Sequence, residues 1–260
     1  MAADQMFDRR RILTGVAALF GAMPLAGCED RLSTNPTVLN VLGLAEPVTH
    51  RLQRLILSGD ALAPEFTEAD ISTTFKPNGT TEPDDQEYQD LLGSQFKNWR
   101  LQITGLVERP LTLSLEDLRE LPSRTQITRH DCVEGWSCIG KWKGVPLARL
   151  LERASLKPQA RYLVFYCADT LGESLDAAKY YESIGLEDAF HPQTLLAYEM
   201  NDAPLTVAHG APLRLRVERQ LGYKMAKYVM RIEAVESFAA IGAGKGGYWE
   251  DRGYEWYAGI

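Results

Sequence analysis

Apolar and polar residues alternate along WRLQITGLV (99–107), PLRLRVE (212–218) and YVMRIEAVESF (228–238), and ARYLVFYCAD (160–169) is rich in the aromatic and branched residues that strands favour. A period of two turns every other side chain to one face, and by either signal each stretch predicts a strand. RTQITRH (124–130) predicts another, running straight into Cys132, and TLLAYEMNDAPLTV (194–207) predicts a hairpin that turns at Asn201-Asp202. Helical spacing is rarer. LARLLERA (147–154) carries apolar residues at i, i+3 and i+4 behind Pro146, whose fixed φ suits a first turn. SLEDLREL (114–121) opens with Ser114 and Asp117 at capping-box spacing, and SIGLEDAF (183–190) predicts a short helix capped by Ser183 and ended before His191-Pro192.

The connections are legible by their breakers. Glu108-Arg109-Pro110 is a turn, and residues 66–89, rich in Pro, Asp and Thr with an Asn78-Gly79 turn signal, predict one long loop. Residues 29–60 yield only a lead-in segment around HRLQRLIL, and Arg219 to Lys227 separate the last two strands. The tail GAGKGGYWEDRGYEWYAGI (242–260) is rich in Gly and aromatics without a period, so it packs on something already formed. No internal repeat is visible. Many strands with few, short helices predict an α+β fold.

The N-terminus changes the picture of where this fold works. Arg9, Arg10 and Arg11 precede an apolar run from Ile12 to Leu25 and small residues that end at Cys28. That order reads as an export signal, too short and too rich in Gly and Ala to span a bilayer. DRRRIL resembles the twin-arginine export motif, and LAGC resembles a lipobox that would make Cys28 a lipid anchor; ordinary cleavage near Ala26 is the alternative. The expected organisation is an export signal at 1–27, a lead-in segment with the long loop at 28–95, and the core of the domain at 96–260. The expected location is the periplasm, either free or tethered to the membrane through Cys28.

A net charge of −7 argues against nucleic acid or an anionic membrane surface as the main partner. Cysteine usage says more. Besides Cys28 the chain has Cys132, Cys138 and Cys167, an odd number that leaves one thiol over in an oxidising compartment. A Cys138–Cys167 disulfide would leave Cys132 as a ligand or nucleophile, although spacing does not fix connectivity. Common metal and nucleophile motifs are absent. His130 lies two residues from Cys132, but His50, His191 and His209 are scattered, and there is no HExxH, paired CxxC, GxSxG, P-loop or GxGxxG.

The combination HDCVEGWS, KWKGVPLARLL, HPQTLLAYEMND and HGAPLRLRVERQLGYKMAKYVMRIE, from about residue 70 to the end, resembles the sulfite oxidase family of molybdenum enzymes, and within it the periplasmic methionine-sulfoxide reductase branch. The resemblance implies a sulfite-oxidase-type molybdopterin-binding fold of mixed β-sheets and short helices. The end at Ile260, soon after the last strand, leads to the expectation of no C-terminal dimerisation domain. It also implies that Cys132 is the catalytic cysteine and the single protein ligand to molybdenum. A soft metal takes a thiolate readily and strips its proton, which protects the leftover cysteine. By the same resemblance Arg214 and His209 meet the anionic end of the molybdopterin, and Met225, Ala226 and Lys227 wrap it. Asn78 and Thr170 correspond to further contacts. For Gly222 and Lys224 a tight turn and a surface lysine stand beside a functional role, and Trp249, Trp256 and the tail tyrosines read as packing.

Sulfite oxidases proper surround their cysteine with arginine, as a dianionic substrate requires. Here Val133, Glu134, Gly135 and Trp136 follow Cys132, an acidic and aromatic lip that disfavours sulfite. The expected function is an exported oxidoreductase that removes oxygen from a small-molecule or protein-bound S- or N-oxide. Oxidation of sulfite or a related sulfur compound on the same fold is the alternative, and a non-enzymatic binding or scaffold lipoprotein is a third reading. No CxxCH or Fe–S cysteine set is present, so electrons are expected from a separate membrane or periplasmic partner, haem- or quinol-linked.

Overall fold

Period-two alternation becomes two sheets, one mixed and one wholly antiparallel, in a computed structural model of the chain, which describes residues 61–172 and 177–260. The expected export signal, Cys28 and His50 lie outside the described residues. Among the described residues no helix is long and apolar enough to cross a membrane.

The elements follow in chain order. A 3-10 turn at Glu68–Asp70 precedes α1 (Gln86–Gly93), β1 (Leu101–Gly105), β2 (Leu111–Leu113), α2 (Leu115–Glu120), β3 (Arg124–Asp131), β4 (Ser137–Pro146) and α3 (Leu147–Ala154). After them come β5 (Tyr162–Leu171), β6 (Ala178–Gly185), α4 (Leu186–Ala189), β7 (Leu195–Met200), β8 (Ala203–Pro204), β9 (Arg214–Arg216) and β10 (Val229–Val235). One sheet has the order β2-β1-β10-β5-β6; the other runs β3-β4-β7-β8, with β9 also paired to β7. The β1–β10 pair is parallel, and every other pair of these strands is antiparallel. Few short helices beside this many strands make the α+β class.

One apolar cluster draws from both sheets and from α3: Leu101 and Ile103 of β1, Phe165 of β5, Leu196 of β7, Leu215 of β9 and Leu150 of α3 are all buried in it. The apolar stripe of α3 enters this cluster through Leu147, Leu150, Leu151 and Ala154, and the helix stops where Ser155 takes a left-handed φ of 58°. Ser114 caps α2 as its spacing predicts: its hydroxyl accepts from Asp117 N at 3.1 Å while Asp117 returns the bond to Ser114 N at 2.8 Å. The hairpin turn also forms as predicted, with positive φ at both Asn201 and Asp202, the geometry whose twist matches antiparallel strands.

Four expectations need correction. The end of the predicted long loop is helical, because Asp85 caps Tyr88 N at 2.9 Å and starts α1. Residues 137–146, whose Lys- and Gly-rich sequence has no period and so reads as loop, form the ten-residue strand β4, held between β3 and β7. Ser183 is not a helix cap; it lies buried inside β6, and α4 starts after Gly185. Cys138 and Cys167 are both free thiols, the first on β4 and the second on β5 in the other sheet, so the expected disulfide is not formed. The described lead-in residues pack on the core, since Phe75 and Tyr88 are buried.

Gly144 shows how closely β4 and β7 approach: a Cβ there would sit 2.1 Å from Leu196 O and 2.6 Å from Ala197 Cα. Both obstacles are backbone, so nothing cheap can move. Gly144→Ala is expected to cost about 2–3 kcal/mol in urea unfolding, at the upper end of overpacking effects. Gly93, in α1 with open space around it, is the control. Gly93→Ala should be neutral or stabilising by up to about 1 kcal/mol.

Candidate cofactor and active site

The strand β3 obeys the strand period but buries the polar side. Gln126, Thr128 and His130 face inward while Thr125 and Arg129 are exposed. A buried polar row is costly unless each member finds a partner; here Glu218 and Arg216, at and just beyond the end of β9, partner Gln126 and His130, while the Thr128 hydroxyl has none. Arg216 forks onto Glu218 (Nε–Oε1 2.9 Å, Nη2–Oε2 2.6 Å), and Gln126 Nε2 donates to Glu218 Oε1 at 2.9 Å. Arg216 Nη1 lies 3.0 Å from His130 Nδ1. A guanidinium only donates, so Nδ1 accepts and the proton of the neutral ring sits on Nε2. Burial, with Arg216 and Arg214 beside it, holds His130 well below its ordinary pKa. Gly222 closes over that ring, since a Cβ there would come within 2.4 Å of His130 Nε2. The end of β3 is thereby clamped, and Cys132 follows it on a turn closed by Cys132 N donating to Trp136 O at 2.9 Å.

Cys132 opens into a cleft whose non-atom space, with the solvent at its mouth, is about 680 Å³. Asn78, Met225 and Lys227 line it with Cys132, so the cleft unites four of the residues expected at the site. Ala226 is buried beside them rather than on the wall. Arg214 and His209 form a layer behind: Arg214 Nη1 donates to His209 O at 3.1 Å. Gly210 lets this layer reach Lys227, because a Cβ on it, at φ +100°, would lie 2.9 Å from Lys227 Cβ. Thr170 does not line the cleft; its neighbours Asp169 and Leu171 do. Asp169 went unnoticed because an acidic residue near a strand end reads as solvent-facing. Lys224, for which a surface role stood open, is fully buried between Glu182 and Glu250, 2.5 Å from each.

The electrostatics are lopsided. Arg214 is fully buried, and its Nε and Nη2 have no partner, nor has His209 Nδ1. Burial first, then mutual repulsion, lowers every one of these groups: Arg214 to about 9 with Arg216 beside it, Lys227 to about 7 with Arg214 beside it, and His209 to about 4. Asp169 is the nearby acid, pushed up to about 6 by burial while the Thr80 hydroxyl and Lys227 work the other way. Lys227 Nζ donates to the carbonyls of Thr80 and Ala208, which carry no charge to offset it. Unpaired buried guanidinium groups cost several kcal/mol, and a phosphate or similar anion supplies what this layer lacks.

The thiol completes the donor set. Burial raises the Cys132 pKa, the Glu134 N–H working against it and the Glu134 carboxylate with it, so without a metal the thiol is protonated at neutral pH. Among the described residues no three His, Cys, Asp or Glu side chains converge. A metal at Cys132 must therefore bring most of its ligands with it, as one carried by an organic dithiolene does. Anion-seeking buried cations beside one soft ligand fit an anionic, metal-bearing cofactor.

Residues 89–239 match the family described as oxidoreductase molybdopterin binding domain. The chain belongs to that family and is a molybdopterin-dependent oxidoreductase of the sulfite oxidase type. It is 34% identical over 251 residues to an Azospira oryzae chain named as a protein-methionine-sulfoxide reductase subunit, YedZ1, covering 96% of this chain and 87% of that one. It is 38% identical to the protein-methionine-sulfoxide reductase catalytic subunit MsrP of Gluconobacter oxydans (89% and 70% covered) and 32% identical to MsrP of Xanthomonas campestris (88% and 70%). Among solved structures it is similar to the sulfane dehydrogenase SoxCD of Paracoccus pantotrophus, at 28% identity and a TM-score of 0.46 over 54% of this chain and 39% of that chain.

Two outcomes test the charge argument. Arg214→Met should leave the cofactor-free protein as stable or about 1–4 kcal/mol more stable, because an unpaired buried charge is removed, yet reduce pterin content at least tenfold on purification from a cofactor-producing host. The second concerns Lys227, whose folded pKa of about 7 lies below the unfolded value near 10.4. The unfolded chain then binds more protons between those values, so the cofactor-free protein gains stability as pH rises from 7 toward 9. Lys227→Met should flatten that part of the pH profile of the urea midpoint.

Proposed function

We propose that the protein is an exported reductase that removes the oxygen of a thioether S-oxide, with peptide-bound methionine sulfoxide as the leading substrate. The observation that carries this reading is the charge at the open side of the thiol. Lys227 is the one cation among the residues lining the cleft, and it is engaged with carbonyl groups. The lip itself is Val133 and Glu134, and Lys76 is ion-paired with Glu134 at 3.4 Å. A neutral oxide is accommodated there and a dianion is not, which argues against sulfite. The names of the relatives, all methionine-sulfoxide reductase subunits, support the same class.

Net reduction consumes two electrons and two protons and releases the thioether and one water. The bound molybdenum cofactor supplies the two-electron oxygen-atom transfer. The chain's own residues do the rest: Cys132 provides the thiolate that holds the metal, Arg214, His209 and Lys227 meet the anionic end of the pterin, and Asn78 and the backbone at Met225 and Ala226 hold it in the cleft. Asp169 titrates near 6 on the cleft wall, within the range in which a carboxyl exchanges a proton at neutral pH. Electrons come from a separate partner, as the word subunit in the relatives' names suggests, and the N-terminal signal with Cys28 directs the protein to the periplasmic side of the membrane.

Protein purified from a cofactor-competent host should contain about one molybdenum per chain and reduce S-oxides with a reduced viologen donor, while oxidising sulfite at least about a hundredfold more slowly, a discrimination on the order of 3 kcal/mol. Cys132→Ser should abolish turnover and lower molybdenum content while part of the pterin is retained by its other contacts. Normal turnover by Cys132→Ser, or molybdenum without oxide reduction, would sink the reading.

A further inference from the structure

The aromatic tail, aperiodic in sequence, supplies one wall of the cleft. Tyr223, Trp249 and Tyr254 all line it, and their rings form one connected set. Tyr223 meets Tyr254 edge-on at 5.2 Å, and Trp249 stacks on Tyr254 at 5.2 Å and 27°. Tyr223 belongs to the turn whose Gly222 closes on His130 and Asp131, the two residues just before Cys132. The wall is thus tied through one residue to the strand that presents the thiol. The cation layer reaches the cleft elsewhere, through Gly210 and Lys227.

Two features make this wall a binding surface and not only packing. It is held rigidly from behind, by Lys224 between Glu182 and Glu250 and by Tyr223 Oη donating to Glu255 O at 2.6 Å. Yet its edge is open: Tyr254 is 40% exposed, and so, at 43%, is Val133, the cleft residue that directly follows the thiol. Apolar side chains left exposed along a cleft mark a surface waiting for an apolar ligand. Its chemistry favours a neutral sulfur compound, because a thioether gains from aromatic contact without needing a counter-charge. An amine released from an N-oxide would be a cation facing Lys227 across the same cleft.

We propose that Tyr223, Trp249 and Tyr254, with Val133, form the subsite that receives the methyl thioether arm of a peptidyl S-oxide, and that this wall sets the preference for such side chains over smaller oxides. The proposal rests on the oxide-reductase reading and deepens it. Trp249 and Tyr254 act by holding substrate, so their loss changes KM more than kcat.

The test compares an acetylated, amidated tripeptide carrying methionine S-oxide with dimethyl sulfoxide and trimethylamine N-oxide, each with the molybdenum-loaded wild type and with Tyr254→Ala, Trp249→Leu and the conservative Tyr254→Phe and Trp249→Phe. Tyr254 is partly exposed, so its truncation tests the wall even where Trp249→Leu fails to fold. The peptide KM should rise about tenfold in Tyr254→Ala, the size expected for losing one aromatic contact and its burial. The kcat should stay within about twofold, dimethyl sulfoxide should be affected at most about threefold, and the Phe variants should restore the peptide KM. Molybdenum and pterin content should match wild type in every folded variant. An unchanged peptide KM overturns the proposal, as does an equal loss for all three oxides. A fall in pterin content overturns it too, by assigning the wall to the cofactor. If the loaded wild type reduces no oxide, the function reading fails separately. Calorimetry with the reduced methionine peptide then decides the subsite: weaker binding by Tyr254→Ala supports it and equal binding overturns it.

Discussion

The site is organised around positive charge buried without a counter-ion. Arg214 and Arg216 lie behind the cleft and Lys227 on its wall, and Glu218 neutralises Arg216 alone through a bidentate fork. Arg214 and Arg216 also lie over the Trp142 ring, at 4.9 and 4.3 Å, which offsets part of the cost of burial without removing the charge. What remains is a demand for an anion at a fixed place. The polar face of β3, the close approach of Gly210 to Lys227 and the neutral tautomer of His130 all follow from packing that charge beside a thiol.

The same charge divides the cleft by chemistry. Its cationic layer suits the phosphate of a pterin cofactor, and its aromatic wall with the Val133–Glu134 lip suits a neutral substrate. This division separates a reductase of neutral oxides from an oxidase of sulfur dianions on one fold, because a few kcal/mol of charge complementarity decides which ligand enters. Lys224 illustrates the supporting role of the tail. Although burial works against its charge, Glu182 and Glu250 hold its ammonium above the ordinary value, while burial and Glu250 raise Glu182 well above the usual carboxylate range. The tail is anchored by that shared charge, so Trp249 and Tyr254 are presented on a rigid support.

Legibility in the sequence followed the range of the interactions involved. The capping box at Ser114, the Asn201-Asp202 turn and the apolar stripe of α3 are settled within a few residues, and each was readable. The strand β4 was not, because SCIGKWKGVP owes its conformation to β3 and β7 on either side and carries no period of its own. Ser183 was misplaced for a related reason: a capping residue before an apolar run has the same local appearance inside a strand. The motif around Cys132 and the run from His209 to Glu233 named the cofactor residues by resemblance, but alternation alone would have sent Arg214 to solvent.

By itself the sequence determined the α+β class, most of the strands, the one unpaired-looking thiol in a motif and a lip too acidic for sulfite, since each of these depends on composition or on neighbours along the chain. Tertiary structure alone decided that Cys138 and Cys167 stay apart on different sheets, that Asp169 rather than Thr170 faces the cleft, and that Lys224 is buried between two carboxylates. It also turned Trp249 and Tyr254 from aperiodic tail residues into a wall of the cleft that holds Cys132. These outcomes depend on contacts between segments far apart in the chain, where burial and charge are shared among residues whose local patterns say nothing of one another.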